Sequence, residues 1–342
     1  MERVYVGLDL GSSSFQQVGM NEAGVVRGQR EFRTSEANLI KAFADLEGEL
    51  HVHLEAGELA PWAVSIITPL VQRVVCSHPQ SNAWIAKDAD KCDRIDAYKL
   101  ADLLRLNRFK QVHYPAGPSR RDFKALVQHY DELTAQQARL KTKIKARLRM
   151  QGVIVRGERV FSVTGRQAVL ASVKSPLVRT AINQLYEVLD QSVMAQTAAR
   201  NLMLRAAQAL PEIRIMKTAP GVGPIGACRF SAYIHAPQRF SSTRKLWKYC
   251  RLSVSHRSSN GKPLRRPRLD RNGCGRLKDV SRKAFEAALR SKSDNGFKRA
   301  YQRALATTHD ATHARLTVQR KIVSTLRAMW INQTPYREEL MR

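Results

Sequence analysis

Hydrophobic positions in the first eighty residues follow the period of strands, interrupted by turn residues. Residues 4–10 form an apolar run with β-branched and aromatic members, closed by Gly11-Ser12-Ser13-Ser14. Residues 15–20 follow, then the turn Asn21-Glu22-Ala23-Gly24, then residues 25–32, which together predict a three-stranded meander. Ser35 stands where it can cap a helix running to Leu46, with Leu39, Ile40, Phe43 and Leu46 on one face. Residues 51–54 predict a fourth strand, 61–70 a helix, 72–77 a fifth strand and 95–106 a helix. Farther on, residues 119–150 contain neither Gly nor Pro and repeat Phe123, Val127, Tyr130, Leu133, Leu140, Ile144 and Leu148 at three-to-four spacing. Residues 177–210 do the same with Ile182, Leu185, Leu189, Val193, Met203 and Leu210. Two long amphipathic helices separated by residues 152–175 predict a helical arm or a coiled-coil oligomerisation element. An ordinary bundle core has the same spacing, and the seams are not strict heptads.

The order βββαβαβα matches a ribonuclease-H-like mixed-sheet domain, in which strand one is central and strand four lies beside it. The fold class is therefore α/β plus α. An N-terminal mixed-sheet domain spans 1–115 and a coiled-coil-like helical arm spans 116–210. A mostly helical C-terminal domain with a helix-hairpin-helix-like turn spans 211–342. A chain of 342 residues with 43% hydrophobic positions can fill two or three such cores.

Charge sharpens this division. Residues 1–110 carry 13 Lys and Arg against 15 Asp and Glu, and the remainder carries 45 against 14. A nearly neutral domain is followed by a very basic body, which predicts binding to a polyanion through phosphate neutralisation. No stretch approaches the roughly 20 apolar residues of a membrane helix, and no basic amphipathic anchor stands out, so no membrane partner is expected. The start Met-Glu-Arg leads straight into a predicted strand, so no signal peptide is expected. The five cysteines, Cys76, Cys92, Cys228, Cys250 and Cys274, fit neither a zinc ribbon nor a disulfide framework, which predicts a reduced, cytoplasmic protein.

Against that basic background four acids carry the candidate chemistry. Asp9 lies in Val-Gly-Leu-Asp-Leu-Gly and is expected mid-strand. Glu55 ends strand four, and Asp93 and Asp96 stand three apart near a helix start, where they share a face. Acids converging from several elements are what two-metal phosphoryl chemistry needs, and Mg2+ (or Mn2+) takes carboxylate oxygen while retaining water for phosphates. Each acid has a plainer role: Asp9 as a turn or cap residue, Asp93 as a helix cap. Glu58 competes with Glu55, and Asp88 and Asp90 compete with Asp93.

Two later segments join them. Pro220-Gly221-Val222-Gly223-Pro224 resembles the turn of a helix-hairpin-helix element, whose backbone amides, here around Gly221 and Gly223, contact phosphate without reading sequence. A tight turn between helices has the same composition. Residues 243–283 hold 14 Lys and Arg against 2 acids, with Trp247 and Tyr249 interleaved. Arg244, Lys245, Lys248, Arg257, Lys262, Arg265, Arg266 and Arg268 are the nucleic-acid-binding candidates there. Within this stretch Ser258-Ser259-Asn260-Gly261 reads as a flexible loop. A serine nearby could attack phosphorus if activated, with the cations stabilising the transition state.

These segments occur in one order, and Lys91–Ala101 reads Lys-Cys-Asp-Arg-Ile-Asp-Ala-Tyr-Lys-Leu-Ala. Over nearly its whole length the chain resembles the DEDD transposases of the one-ten family of bacterial insertion sequences, relatives of the Piv/MooV DNA invertases. The resemblance implies a RuvC-like first domain in which Asp9, Glu55, Asp93 and Asp96 bind metal. It implies a basic transposase domain whose serine links covalently to DNA; Ser259 best matches that serine, with Ser258 next. It further implies recombination by a homo-oligomer (dimer or tetramer), with acids and serine from different subunits. The implied partners are double-stranded DNA (element ends and target) and a structured noncoding guide RNA, in a bacterial cytoplasm. Other expectations remain beside it. A plain RuvC-like nuclease would use the acids without the serine. An actin-like ATPase or kinase would use residues 7–14 as a phosphate loop, and a non-enzymatic nucleic-acid-binding protein would use the charge alone.

Overall fold

The structure is a computed structural model and describes residues 2–79, 93–114, 117–255, 258–260, 262–263 and 267–340. The chain divides into two units, Met1–Pro118 and Ser119–Arg342.

In the first unit, alternating burial builds one six-stranded sheet: β1 (Arg3–Leu10), β2 (Ser14–Met20), β3 (Val26–Arg33), β4 (Glu49–Glu55), β5 (Arg73–Ser77) and β6 (Gln111–Val112). The spatial order is β3-β2-β1-β4-β5-β6. β1 is antiparallel to β2 and parallel to β4; β5 runs parallel to β4, and β6 closes the edge antiparallel. Three helices accompany the sheet: α1 (Glu36–Ala44), α2 (Ala60–Ile67) and α3 (Asp93–Arg105). Ser35 caps α1 as expected, its hydroxyl accepting from the Asn38 N–H at 3.2 Å. The strand period of two turns Val4, Val6 and Leu8 to one face, where Leu39 and Phe43 of α1 and Ala63 and Ile67 of α2 form the core with them. The opposite face of β1, at Gly7, is covered by α3. Helix α3 begins two residues earlier than its apolar pattern predicts, so both Asp93 and Asp96 lie in its first turn. The two-residue strand β6 is too short to leave a periodic signal.

The second unit opens with α4 (Pro118–Met150), α5 (Val163–Ala171) and α6 (Pro176–Ala206). The far half of α4 and the near half of α6 pack with their connection around Ile144, Leu148, Val160, Ile182, Tyr186 and Leu189. That connection is not a bare loop: Ser162 caps α5 by accepting from the Gly165 N–H. Midway, the two long helices meet through amide and hydroxyl groups rather than an apolar seam. Gln137 donates to the Ser192 carbonyl at 3.0 Å, and Gln196 donates to the Thr134 hydroxyl at 3.0 Å. This is why strict heptads are missing. Nearer its start, α4 sends Phe123, Val127 and Tyr130 into a separate core shared with α7 (Pro211–Met216), α8 (Pro224–Ile234), α9 (Thr243–Tyr249), α10 (Gly275–Arg290), α11 (Gly296–Thr308) and α12 (Ala311–Asn332).

Charge is also used internally. Asp131 of α4, 1% exposed, accepts from Arg229 Nε at 2.7 Å and the Tyr233 hydroxyl at 2.9 Å, with Arg276 at 3.4 Å. This network ties α4 to α8 and α10. Among the described residues no helix is long and apolar enough to cross a membrane.

Candidate active site

Strands β1 and β4 run parallel with Leu8 opposite Leu54, so the next residues, Asp9 and Glu55, lie side by side at the strands' carboxyl ends, still paired to β2 and β5. Asp9 is the penultimate residue of β1 rather than a mid-strand position, which brings it nearer the strand's carboxyl end than the sequence predicts. Period two places Tyr5, Gly7 and Asp9 on one face, with His51, His53 and Glu55 on the same face of the neighbouring strand.

Two residues draw α3 onto that face. A Cβ on Gly7 would fall 1.9 Å from the Ala97 carbonyl oxygen and 2.6 Å from the Ala101 nitrogen, so only glycine lets the helix backbone come this close. His53 is wholly buried. Its Nδ1 meets the Leu100 carbonyl at 2.7 Å and its Nε2 meets the Ser77 hydroxyl at 2.8 Å. A carbonyl only accepts, so Nδ1 carries the proton and Nε2 accepts from Ser77. Burial pushes the imidazole down to about 4, which keeps it neutral. Gly7 and His53 therefore clamp α3 to β1 and β4, with Asp93 and Asp96 in its first turn, where acids also favour the positive end of the helix dipole. A glycine inside a strand pattern and a histidine two residues before an acid were the available sequence signals for these two supports.

Asp9 feels the other three acids. Asp9 is pushed up to about 6, first by burial and then by the charges of Asp93, Asp96 and Glu55. Oδ1 of Asp96 is buried with no hydrogen-bond partner. Glu58 is exposed in the turn between β4 and α2. Among the described residues no three acid, His or Cys side chains stand close enough to form a finished metal cage. The donor set nonetheless suits a hard divalent cation: carboxylate oxygens only, an ionisation penalty that positive charge would relieve, and one buried oxygen without a donor. Asp88, Asp90 and Cys92 lie outside the described residues.

The serine segment is not the loop its composition predicts. β7 (Val254–Ser255) pairs with β10 (Arg268–Leu269), and β8 (Ser258–Ser259) pairs with β9 (Lys262–Pro263). Ser259 lies opposite Lys262, and Asn260 follows with φ 48°, the left-handed conformation Asn tolerates in a two-residue hairpin turn. Ser259 is thus exposed at the turn of a short ribbon. The ribbon's base is pinned: the Cys274 N–H donates to the Tyr249 carbonyl at 2.7 Å, Arg251 Nε to the Gly273 carbonyl at 2.8 Å, and Arg320 Nε to the Leu252 carbonyl at 2.8 Å. Arg257, Arg265 and Arg266 lie outside the described residues, as do the side chains of Ser258 and Lys262.

Arg244, Lys245 and Lys248 are exposed along α9, and Arg268 is exposed on β10. The interleaved aromatics do not join them. Trp247 donates to the Ser324 hydroxyl at 2.9 Å and Tyr249 to the Tyr233 carbonyl at 3.2 Å, so both rings belong to the fold. In the glycine-rich turn, Gly221 has φ 76° and a Cβ there would lie 2.1 Å from the Ala284 carbonyl oxygen. Gly223 precedes the first turn of α8 in open space. Gly221 therefore serves packing, and Gly223 is the glycine of the pair that leaves the backbone accessible.

Two family models match the chain. One, for the DEDD type of IS110 and described as a transposase, matches residues 6–151. The other, described as the transposase IS116/IS110/IS902 family, matches residues 213–302. The first covers the sheet with its four acids, and the second covers the glycine-rich turn and the serine ribbon. No curated protein matches the chain.

Proposed function

We propose that this chain, which belongs to the IS110 family of insertion-sequence transposases, cuts and rejoins DNA through a serine ester of phosphate. The observation that supports the acid half is the placing of Asp9 and Glu55 at the ends of adjacent parallel strands, with the Asp9 carboxyl raised first by burial and then by Asp93, Asp96 and Glu55; the serine half is supported by the family match over the ribbon. The strand order β3-β2-β1-β4-β5, with β1 central, supports a ribonuclease-H-like reading of that unit. Family membership replaces the ATPase reading of residues 7–14.

In the proposed reaction the Ser259 hydroxyl oxygen attacks a phosphodiester. A new O–P bond forms, the P–O bond to one sugar breaks, and the serine proton leaves with that sugar oxygen as a hydroxyl. Attack by a second sugar hydroxyl then reverses the exchange and regenerates serine, so no nucleotide hydrolysis is required. Asp9, Glu55, Asp93 and Asp96 would hold Mg2+ or Mn2+, which when bound supplies Lewis-acid stabilisation of phosphate charge. Arg244, Lys245, Lys248 and Arg268 would neutralise the DNA backbone around the ribbon. The acids and the serine lie in separate units of the chain, which fits a reaction in which different subunits of an oligomer supply them. A guide RNA transcribed from the element would select the DNA.

Covalent capture tests this. Denaturing gels of the protein with element-end DNA should recover a protein–DNA adduct; Ser259→Ala should abolish it, and Ser258→Ala should not. An adduct that survives both changes together overturns the nucleophile assignment. Cut DNA with no adduct from the native chain would establish the plain nuclease instead. Asp93→Asn should abolish recombination with DNA binding retained, and unchanged recombination would remove the acid site.

A further inference from the structure

Where the arm's second helix runs into the glycine-rich turn, two open grooves of about 490 Å3 and about 390 Å3 adjoin, sharing Leu204 and Gln208. Asn201, Arg205 and Gln208 recur at helical spacing along the first groove; Arg214, Lys217 and Pro224 line the second. No acid lines either groove. The acid on α7, Glu212, is 1% exposed and already accepts from Arg120 at 2.5 Å and the Ser231 hydroxyl at 2.6 Å.

Arg205, Arg214 and Lys217 are exposed, and among the described residues none of the three side chains makes an ion pair or hydrogen bond. Several arginines of this unit are committed, Arg229 to Asp131, Arg166 to Asp190, Arg282 to Asp279 and Glu286, whereas these three, like Arg244 and Arg268 near the ribbon, are not. Three uncompensated cations facing one channel repel one another and are stabilised by a polyanion. The lining contains no aromatic ring, so it offers no platform for stacking unpaired bases. The channel ends at Pro224, the first residue of α8, beside the open Gly223.

We propose that this channel is a second DNA-backbone site, separate from the serine ribbon, in which Arg205, Arg214 and Lys217 neutralise phosphates of duplex DNA. The inference rests on the recombinase reading above. Its occupant is duplex rather than single-stranded because the lining can meet phosphate but cannot stack bases. It is DNA because the serine chemistry proposed for the same unit acts on a DNA duplex. The site would grip DNA away from the cleavage point and set the direction in which the duplex leaves.

The test compares the full chain with a variant carrying Arg205→Gln, Arg214→Gln and Lys217→Gln. Duplex DNA binding is followed by fluorescence anisotropy between 50 and 200 mM KCl. Each neutralised phosphate contributes a slope of about 0.9 in log affinity against log salt, so three lost contacts should flatten the slope by about 2.7. Over that fourfold salt range the native chain should lose about 40-fold more affinity than the variant. A companion with Arg205→Lys, Arg214→Lys and Lys217→Arg should keep the native slope, and matching thermal unfolding curves would show that all three proteins are folded. An unchanged slope in the Gln variant overturns the channel while leaving the recombinase reading intact. A native chain with no affinity for duplex DNA overturns that reading and the channel with it. A flattened slope for duplex RNA but not for duplex DNA overturns the DNA assignment.

Discussion

Replacing Asp9 with Asn should make the first unit more stable while abolishing recombination. Asp9 is raised from 3.8 to about 6 by burial and by Asp93, Asp96 and Glu55. For an acid whose folded value lies above its unfolded value, the ionised fold is penalised. The penalty is fully present above about pH 6, shrinks as pH falls through that value, and is gone below 3.8, where both states are protonated. At about 1.36 kcal/mol per tenfold change in acidity, the ceiling is about 3 kcal/mol. The carboxyl is only partly buried, so solvent screening lowers this to about 1 kcal/mol. Asn keeps the shape and can still accept the Leu10 backbone hydrogen bond that Asp9 receives, while losing the charge. Thermal unfolding at pH 7.5 without divalent metal should therefore show Asp9→Asn melting about 4 °C above the native chain. The gap should close as pH is lowered toward 4.5. Added Mg2+ should raise the native chain and leave the variant unmoved. A variant less stable than native at pH 7.5, or a gap that does not change with pH, would refute the claim that burial and the neighbouring acids penalise the Asp9 charge.

Gly7→Ala should destabilise the first unit by about 1–3 kcal/mol, because the new methyl meets the Ala97 carbonyl at 1.9 Å and the helix must retreat. Recombination should fall with it, since that helix carries Asp93 and Asp96; native melting and native activity together would show that the close approach is dispensable. In the second unit, Arg229→Ala strands Asp131, at 1% exposure, with only Tyr233 and the more distant Arg276 beside it. Denaturant unfolding should show a loss of about 3 kcal/mol, largely recovered by pairing Arg229→Met with Asp131→Leu, and a loss below about 1 kcal/mol would mean that the pair is not holding α4 to α8.

The strands and long helices were legible because burial on one side of an element imposes a period, and the period is written in the residues. Leu39 and Phe43 read as one face and pack as one face. What brings elements together is not periodic. Gly7 is one small residue in an apolar strand, and nothing local says that a helix ninety residues later rests on it. His53 sits in an alternation that fits exposure or burial equally well; the partners that make it neutral, Leu100 and Ser77, come from two other elements. The ribbon was hidden for another reason. An Asn-Gly turn signals a hairpin when apolar residues alternate around it, and here the flanks are serine and cations, so composition argued for a loop.

Charge counting has the same blind spot. The excess of cations after residue 110 announced a polyanion, yet the excess does not say which cations are free to meet it. Arg229 and Arg120 are bound to buried acids, and Arg251 and Arg320 pin the ribbon to its support. Their loss would weaken DNA processing through the fold, whereas Arg244, Lys245 and Lys248 stand exposed with nothing structural assigned to them. A scan of arginine variants should therefore separate into two groups by salt dependence. Losses at the pinned positions should persist at every salt concentration and track unfolding. Losses at the exposed positions should shrink the salt slope and leave the melting temperature unchanged. On the proposed mechanism this division has a chemical reason. Ser259 and the four acids lie in separate units of the chain, so on that mechanism each would remain inert until DNA and a second set of groups arrive together.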